Sequence, residues 1–129
     1  MTVYTQEPAS GAAPKSLVIL LRGYGSNGED LIGLAPYWKQ DLPDTIFVSP
    51  DAPNPCEMGF GFQWFSLHSW APMALQAGAE KVTDDLNKFI DEQMAKYNLP
   101  ASKVALVGFS QGTMMSLYVG PRRREKLGG

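Results

Sequence analysis

Cysteine is almost absent: Cys56 is the single one among 129 residues. That excludes an intrachain disulfide and fits a reducing compartment. Cys56 sits between Pro55 and Glu57 with no basic neighbour to activate it, so it reads as an inert thiol. Histidine is as scarce, and His68 is the only conventional base in the chain. Long apolar runs are missing too. The longest, Leu17-Val18-Ile19-Leu20-Leu21, falls far short of the roughly 20 residues that span a bilayer. There is no basic excess, with 11 Lys and Arg against 13 Asp and Glu. This leaves no field to hold nucleic acid, and Arg122-Arg123-Arg124 beside Glu125 reads as a solvated helix end. The N-terminus lacks the basic-then-apolar pattern of a secretory signal. No internal repeat or low-complexity segment occurs. The expectation is one domain over residues 1–129, cytoplasmic, large enough to bury a core, without nucleic-acid partner or membrane span.

What the chain does contain is an alternation of strands and helices. Residues 1–15 read as a lead-in with one short strand near Thr2 to Gln6. Leu17 to Leu21 has no polar alternation, so both faces of that strand should be covered, as in a parallel sheet. Gly23-Tyr24-Gly25 breaks it. Ser26-Asn27-Gly28-Glu29 spells a capping box, predicting a helix to about Gln40 with Leu31, Leu34, Ala35 and Trp38 on one face and Pro36 inside it. Thr45 to Val48 is a second strand. Pro50 to Pro72 is a long loop rich in aromatics, including Phe60, Phe62, Trp64, Phe65 and Trp70; a loop of that length is uncommon unless functional. Val82, Leu86, Phe89, Ile90, Met94 and Tyr97 recur at helical spacing, which predicts one amphipathic helix from about Ala77 to Tyr97. Asn98-Leu99-Pro100 ends it. Val104 to Val107 is a third buried-type strand, followed by a helical pattern. The order implies an α/β fold: a mostly parallel sheet with helices on both faces and right-handed crossovers. Leu17–Leu21 should lie between Thr45–Val48 and Lys103–Val107.

Chemistry concentrates at two glycine-rich turns. Gly108-Phe109-Ser110-Gln111-Gly112 joins a strand to a helix, the context that the G-x-S-x-G motif requires. The glycines permit a reversal too tight for flanking side chains. The serine hydroxyl is thereby pushed out at a strand's carboxyl end, beside the Gln111 N–H at a helix N-terminus. Ser110 is a candidate acyl-transfer nucleophile. The other turn, Gly23-Tyr24-Gly25-Ser26-Asn27-Gly28, has two readings. It is formally G-x-G-x-x-G, with Asp51 just past the next strand, the outline of a dinucleotide fingerprint. Against this, Pro50 separates Asp51 from the strand end and Arg22 stands where a small or apolar residue is expected. Read otherwise, the turn is an oxyanion loop. Its Tyr24 N–H would join that of Gln111 in stabilising a developing negative charge, at about 3 kcal/mol per donor. The second reading uses both turns for one reaction; the first leaves Gly108 to Gly112 unexplained.

The combined pattern resembles the phospholipase/carboxylesterase family of α/β-hydrolases, which includes acyl-protein thioesterases. The segments that carry the resemblance are Leu20-Leu21-Arg22-Gly23-Tyr24-Gly25-Ser26-Asn27-Gly28-Glu29-Asp30-Leu31, Ser49-Pro50-Asp51-Ala52-Pro53, Gln63-Trp64-Phe65-Ser66 and Gly108-Phe109-Ser110-Gln111-Gly112. It implies a serine esterase or thioesterase acting on small-molecule esters through an acyl-enzyme, without metal or cofactor. Within it, Ser110 is the nucleophile, Tyr24 and Gln111 give backbone oxyanion donors, and Trp64 and Phe65 lie beside the acyl pocket. Two departures stand out. Arg22 replaces the family's histidine before the first glycine. The family's triad acid and histidine follow later strands that would come after Gly129, so the resemblance covers an N-terminal part of the fold. His68 precedes Ser110, opposite to the Ser, acid, His order of such hydrolases, although Asp51 could orient it. Two further expectations follow for the 129 residues alone. Lys103 to Val107 should present an unpaired apolar edge that favours self-association. Turnover should be impaired, and a non-catalytic hydrolase fragment is the limiting case.

Overall fold

A computed structural model describes residues 2–26 and 28–129. In chain order its principal elements are β1 (Val3–Gln6), β2 (Ser16–Leu21), α1 (Gly28–Ile32), α2 (Ala35–Trp38), β3 (Thr45–Pro50), β4 (Asn54–Pro55), β5 (Phe62–Gln63), α3 (Pro72–Lys81), α4 (Thr83–Tyr97), β6 (Val104–Gly108) and α5 (Gln111–Val119). Four strands form one sheet in the order β1-β3-β2-β6. β2 pairs parallel with β3 on one side and with β6 on the other, while β1 closes the far edge antiparallel to β3. The apolar run of β2 is therefore central, as its lack of alternation implies.

Pleating divides that run between two cores. Leu17, Ile19 and Leu21 join Ile46 and Val48 beneath α3, α4 and α5, where Leu86, Phe89, Ile90, Met115 and Val119 are buried. Leu20 and Phe47 point to the opposite face, against Leu31 of α1 and Ala35 of α2. Each such side chain contributes about 1.5–3 kcal/mol by leaving water. Helices thus cover both faces, and both glycine-rich turns lie at the carboxyl ends of parallel strands.

The structure departs from the sequence expectations in four places. The helix expected to run to Gln40 is two short ones, broken at Gly33-Leu34, and Leu34 is exposed rather than on the apolar face. Pro36 falls in the first turn of α2, where its missing N–H removes no helical bond. Next, the helix expected over Ala77–Tyr97 begins at Pro72 and is interrupted at Val82, which has φ −107° and ψ 10°. Val82 is buried there and the Thr83 hydroxyl donates to the Ala79 carbonyl at 2.9 Å, so core packing and a side-chain bond end one helix and start the other. Third, the aromatic loop holds a small antiparallel pair, β4 with β5. Fourth, the free edge of β6 is partly covered. Gly128 N–H donates to the Val104 carbonyl at 2.8 Å, and Leu106 N–H donates to the Gly129 carbonyl at 3.1 Å. In the expected capping box, Asn27 lies outside the described residues; the Ser26 hydroxyl donates to Asp30 Oδ2 at 2.6 Å. Among the described residues no helix is long and apolar enough to cross a membrane.

Candidate active site

The turn after β6 is built by exclusion of side chains. A Cβ on Gly108 would lie 2.5 Å from Thr113 Cα, and one on Gly112 would lie 1.8 Å from the Leu21 carbonyl oxygen. Both obstacles are backbone, so a side chain at Gly108 would displace α5 and one at Gly112 would displace β2. The Phe109 N–H donates to that same Leu21 carbonyl at 3.0 Å, which ties the turn to the end of β2. Between the glycines Ser110 has φ 56° and ψ −124°. A non-glycine residue rarely adopts such a backbone, at a cost of about 1–3 kcal/mol. Ser110 is solvent-exposed, and its carbonyl accepts from Thr113 N–H at 2.9 Å as α5 begins. Gln111 follows as the first helical residue, so its N–H is one of those a helix leaves without an internal partner.

The turn after β2 meets this elbow directly. A Cβ on Gly23 would fall 2.6 Å from Gln111 N, so the absent side chain is what lets the two turns touch. Tyr24 follows. Gly25 (φ 79°) donates its N–H to the Phe62 carbonyl at 3.0 Å, and Phe62 N–H donates to the Ser26 carbonyl at 2.9 Å. The first turn is thus clamped by β5. A Cβ on Gly61 (φ 67°) would lie 2.5 Å from the Gly25 carbonyl carbon. This clamp engages the Gly25 N–H, one of the groups a pyrophosphate would need. Asp51, the acidic residue of the dinucleotide reading, is buried rather than open to a ribose.

Trp64 and Phe65 are brought beside the elbow, but as buried residues, 0 % and 6 % exposed. The side chain of Gln111 holds them. Trp64 N–H donates to Gln111 Oε1 at 2.8 Å, and Gln111 Nε2 donates to the Phe65 carbonyl at 2.8 Å. The Trp64 indole N–H donates to the Arg22 carbonyl at 3.1 Å. Gln111 therefore offers its backbone to the elbow and uses its buried side chain to fix the aromatic segment. Arg22 itself lies over the ring of Phe109, 4.7 Å from its centroid. A cavity of about 650 Å³ is lined by Trp64 and Phe65 together with Ala77, Gly78 and Lys81 of α3.

His68 is 84 % exposed in its side chain and pairs with Glu57, Nε2 to Oε2 at 3.2 Å, rather than with Asp51. Glu57 is the site-adjacent residue that the sequence reading missed. Tyr24 donates its hydroxyl to Glu57 Oε1 at 2.5 Å, Ser66 donates its hydroxyl to Oε2 at 2.7 Å, and Leu67 N–H donates to Oε1 at 3.2 Å. These bonds, Tyr24 first and Ser66 next, hold the carboxyl below its usual range despite partial desolvation. The Tyr24 phenol is pushed well above its ordinary value, chiefly by donating to that carboxylate. A signal was present: His68 apart, Glu57 is the only ionisable side chain other than Cys56 between Asp51 and Glu80. Cys56 is buried. Among the described residues no group of three or more His, Cys, Asp or Glu could hold a metal ion.

The sequence model of the family Phospholipase/Carboxylesterase matches residues 5–129. Acyl-protein thioesterase 1 of Candida albicans is 36% identical over 132 residues, which covers 95% of this chain and 57% of that protein. The crystal structure of esterase PE8 superposes with a TM-score of 0.90 at 45% identity, covering 96% of this chain and 59% of that one. The carboxylesterase of Bacillus cereus, at 22% identity and a TM-score of 0.75, shares the fold. The chain thus spans a little over half the length of the relatives it matches.

Proposed function

The chain belongs to the phospholipase/carboxylesterase family of α/β-hydrolases, and from that premise we propose that it carries the nucleophile and oxyanion half of a serine esterase or thioesterase. The observation that carries the reading is the contact of the two turns. Ser110 is exposed and held at φ 56°, and the Gly23 turn abuts the Gln111 N–H beside it. The Ser110 hydroxyl attacks an ester or thioester carbonyl, and the N–H groups of Tyr24 and Gln111 receive the negative charge that develops on its oxygen. Collapse of that tetrahedral species expels the alcohol or thiol and leaves an acyl-enzyme on Ser110, which water then hydrolyses. Trp64 and Phe65 back the acyl site, fixed there by Gln111. The relatives are named as a thioesterase and esterases, which sets the substrate class as carboxylic esters and thioesters. A cytoplasmic location and self-association along the part of β6 beyond Leu106 belong to the same proposal.

The step that needs an acceptor for the Ser110 proton finds one imidazole in this chain, His68, and it is engaged by Glu57. An oxyanion hole working without its base leaves about 10³–10⁴ over water in protease precedents. The 129 residues by themselves should therefore turn over nitrophenyl acetate slowly, and Ser110→Ala should remove what turnover there is. Turnover that survives Ser110→Ala overturns the assignment. Turnover at ordinary esterase rates, lost in both Ser110→Ala and His68→Ala, makes His68 the base.

A further inference from the structure

Glu57 gathers several groups around the site on one carboxylate. Its carboxylate takes the Tyr24 hydroxyl from the first turn and the Ser66 hydroxyl, Leu67 N–H and His68 imidazole from the segment after Phe65. Its own N–H donates to Gln63 Oε1 at 3.2 Å, within the strand that clamps Gly25 and Ser26. The Glu57 side chain is 27 % exposed, so the cluster sits at the rim of the site rather than in the core. The backbone of Gly23 is fixed by contact with Gln111 and that of Gly25 by Phe62. Tyr24, between them, is fixed on its side-chain end by Glu57.

We propose that Glu57 is a positioning residue for the oxyanion loop: by accepting the Tyr24 hydroxyl and the 66–68 segment together, it sets the direction of the Tyr24 N–H beside Ser110. This deepens the esterase reading and rests on it. Glu57 does not touch the reacting atoms; it acts through Tyr24. One carboxylate with four donors is suited to this. A fixed acceptor removes the rotational freedom of the phenol ring, and the direction of an oxyanion donor decides how much it contributes in the transition state.

The test uses Glu57→Gln, Tyr24→Phe, their double variant and Ser110→Ala. The probe is a phenylboronic acid, which adds to a serine hydroxyl as a tetrahedral adduct and needs no general base. Glu57→Gln and Tyr24→Phe should each weaken boronate binding about tenfold, and the double variant should be no weaker than either single one, the signature of one coupled unit. Unfolding midpoints of the single variants report whether folding is retained. Losses that multiply in the double variant, or binding within about twofold of wild type in both single variants, overturn the proposal. A second readout does not depend on the esterase reading. Glu57→Gln should speed amide exchange at Gly25 and Phe62 about tenfold while leaving Thr113 unchanged. Wild type that binds no boronate through Ser110 sinks the esterase reading, and amide exchange then judges Glu57 alone; unchanged exchange at Gly25 and Phe62 rejects its positioning role.

Discussion

The turn after β6 is closed by steric contact between main chains, and the turn after β2 by hydrogen bonds, one of them to a side-chain carboxylate. At Gly108 and Gly112 there is no space for a Cβ, and the obstacles are main-chain atoms of Thr113 and Leu21. At Tyr24 to Ser26 the closure comes from β5 and from the carboxylate of Glu57. The two turns meet at Gly23 and Gln111. The proposed nucleophile would have to point one way in every turnover, and its turn is over-determined by sterics that no rotamer change can relieve. The turn proposed to receive negative charge is held by hydrogen bonds, which substitution and pH can adjust. The difference predicts which changes destroy the fold and which only retune the site.

The largest effect should come from Gly112→Ala. Its Cβ would lie 1.8 Å from the Leu21 carbonyl oxygen, and the central strand would have to move. We expect a loss of about 4 kcal/mol or more, enough to unfold a marginally stable domain. Gly120→Ala, whose Cβ would meet only Leu106 Cδ1 at 3.6 Å, should cost little. Urea midpoints of the two variants measure the contrast, and equal midpoints would remove the steric account of the elbow.

Gln111→Leu probes the link between the turns and should come next. The leucine keeps the volume but leaves Trp64 N–H and the Phe65 carbonyl without their partner in a buried setting. At about 1–3 kcal/mol for each of the two unmet groups, the loss is about 2–6 kcal/mol. Since the backbone N–H is unaltered, stability should suffer more than the intrinsic elbow geometry. Chemical denaturation together with the near-ultraviolet signal of Trp64 checks this. A stability within about 0.5 kcal/mol of wild type would mean that water or a rearranged main chain satisfies both groups.

The turn anchored in part by the Glu57 carboxylate should respond to pH where the sterically closed one does not. Glu57 is held below its usual range in the fold, mainly by Tyr24 and then Ser66. Its contribution is present above the unfolded carboxylate value, about 4.3, and is lost as pH falls through the lower folded value. The Tyr24 phenol is raised, so its contribution is full below its unfolded value of about 10 and is lost only as pH climbs beyond the folded one. The stability difference between wild type and Glu57→Gln should therefore shrink on acidification from about pH 6 to pH 3. A difference that stays constant over that range counts against the carboxylate as the anchor.

The same contrast explains what the sequence disclosed. The elbow was legible because steric closure leaves a composition signal: two glycines, a serine, an apolar strand before and a helix after. The central place of Leu17–Leu21 was legible because a strand covered on both faces cannot alternate. The β5 clamp was not, because Phe62-Gln63 pairs over two residues only and a window that short has no period. Glu57 was overlooked for a related reason: its isolation in the loop marks it, but its partners Tyr24, Ser66 and His68 converge from two segments, and no spacing in the sequence names them. The break at Val82 was hidden because α3 and α4 keep their apolar residues on one side of the sheet, so periodicity runs on through the interruption.

The smallest effect separates strain from packing at Ser110 itself. Ser110 pays for its backbone at φ 56° and ψ −124°, about 1–3 kcal/mol for a residue with a Cβ. Ser110→Ala keeps that Cβ and so keeps the strain. Ser110→Gly releases it, at the cost of about 0.5–1 kcal/mol in unfolded-chain entropy. Both variants delete the hydroxyl, so their difference reports the backbone alone. Ser110→Gly should be the more stable by about 1 kcal/mol, a shift in melting temperature of a few degrees for a domain of this size. The sign is the useful part. If Ser110→Ala proves the more stable, the elbow is not a strained conformation imposed by the glycines around it. It would then be one that the turn prefers, and the contrast between a sterically forced turn at Ser110 and a hydrogen-bonded turn at Tyr24 would lose its physical basis.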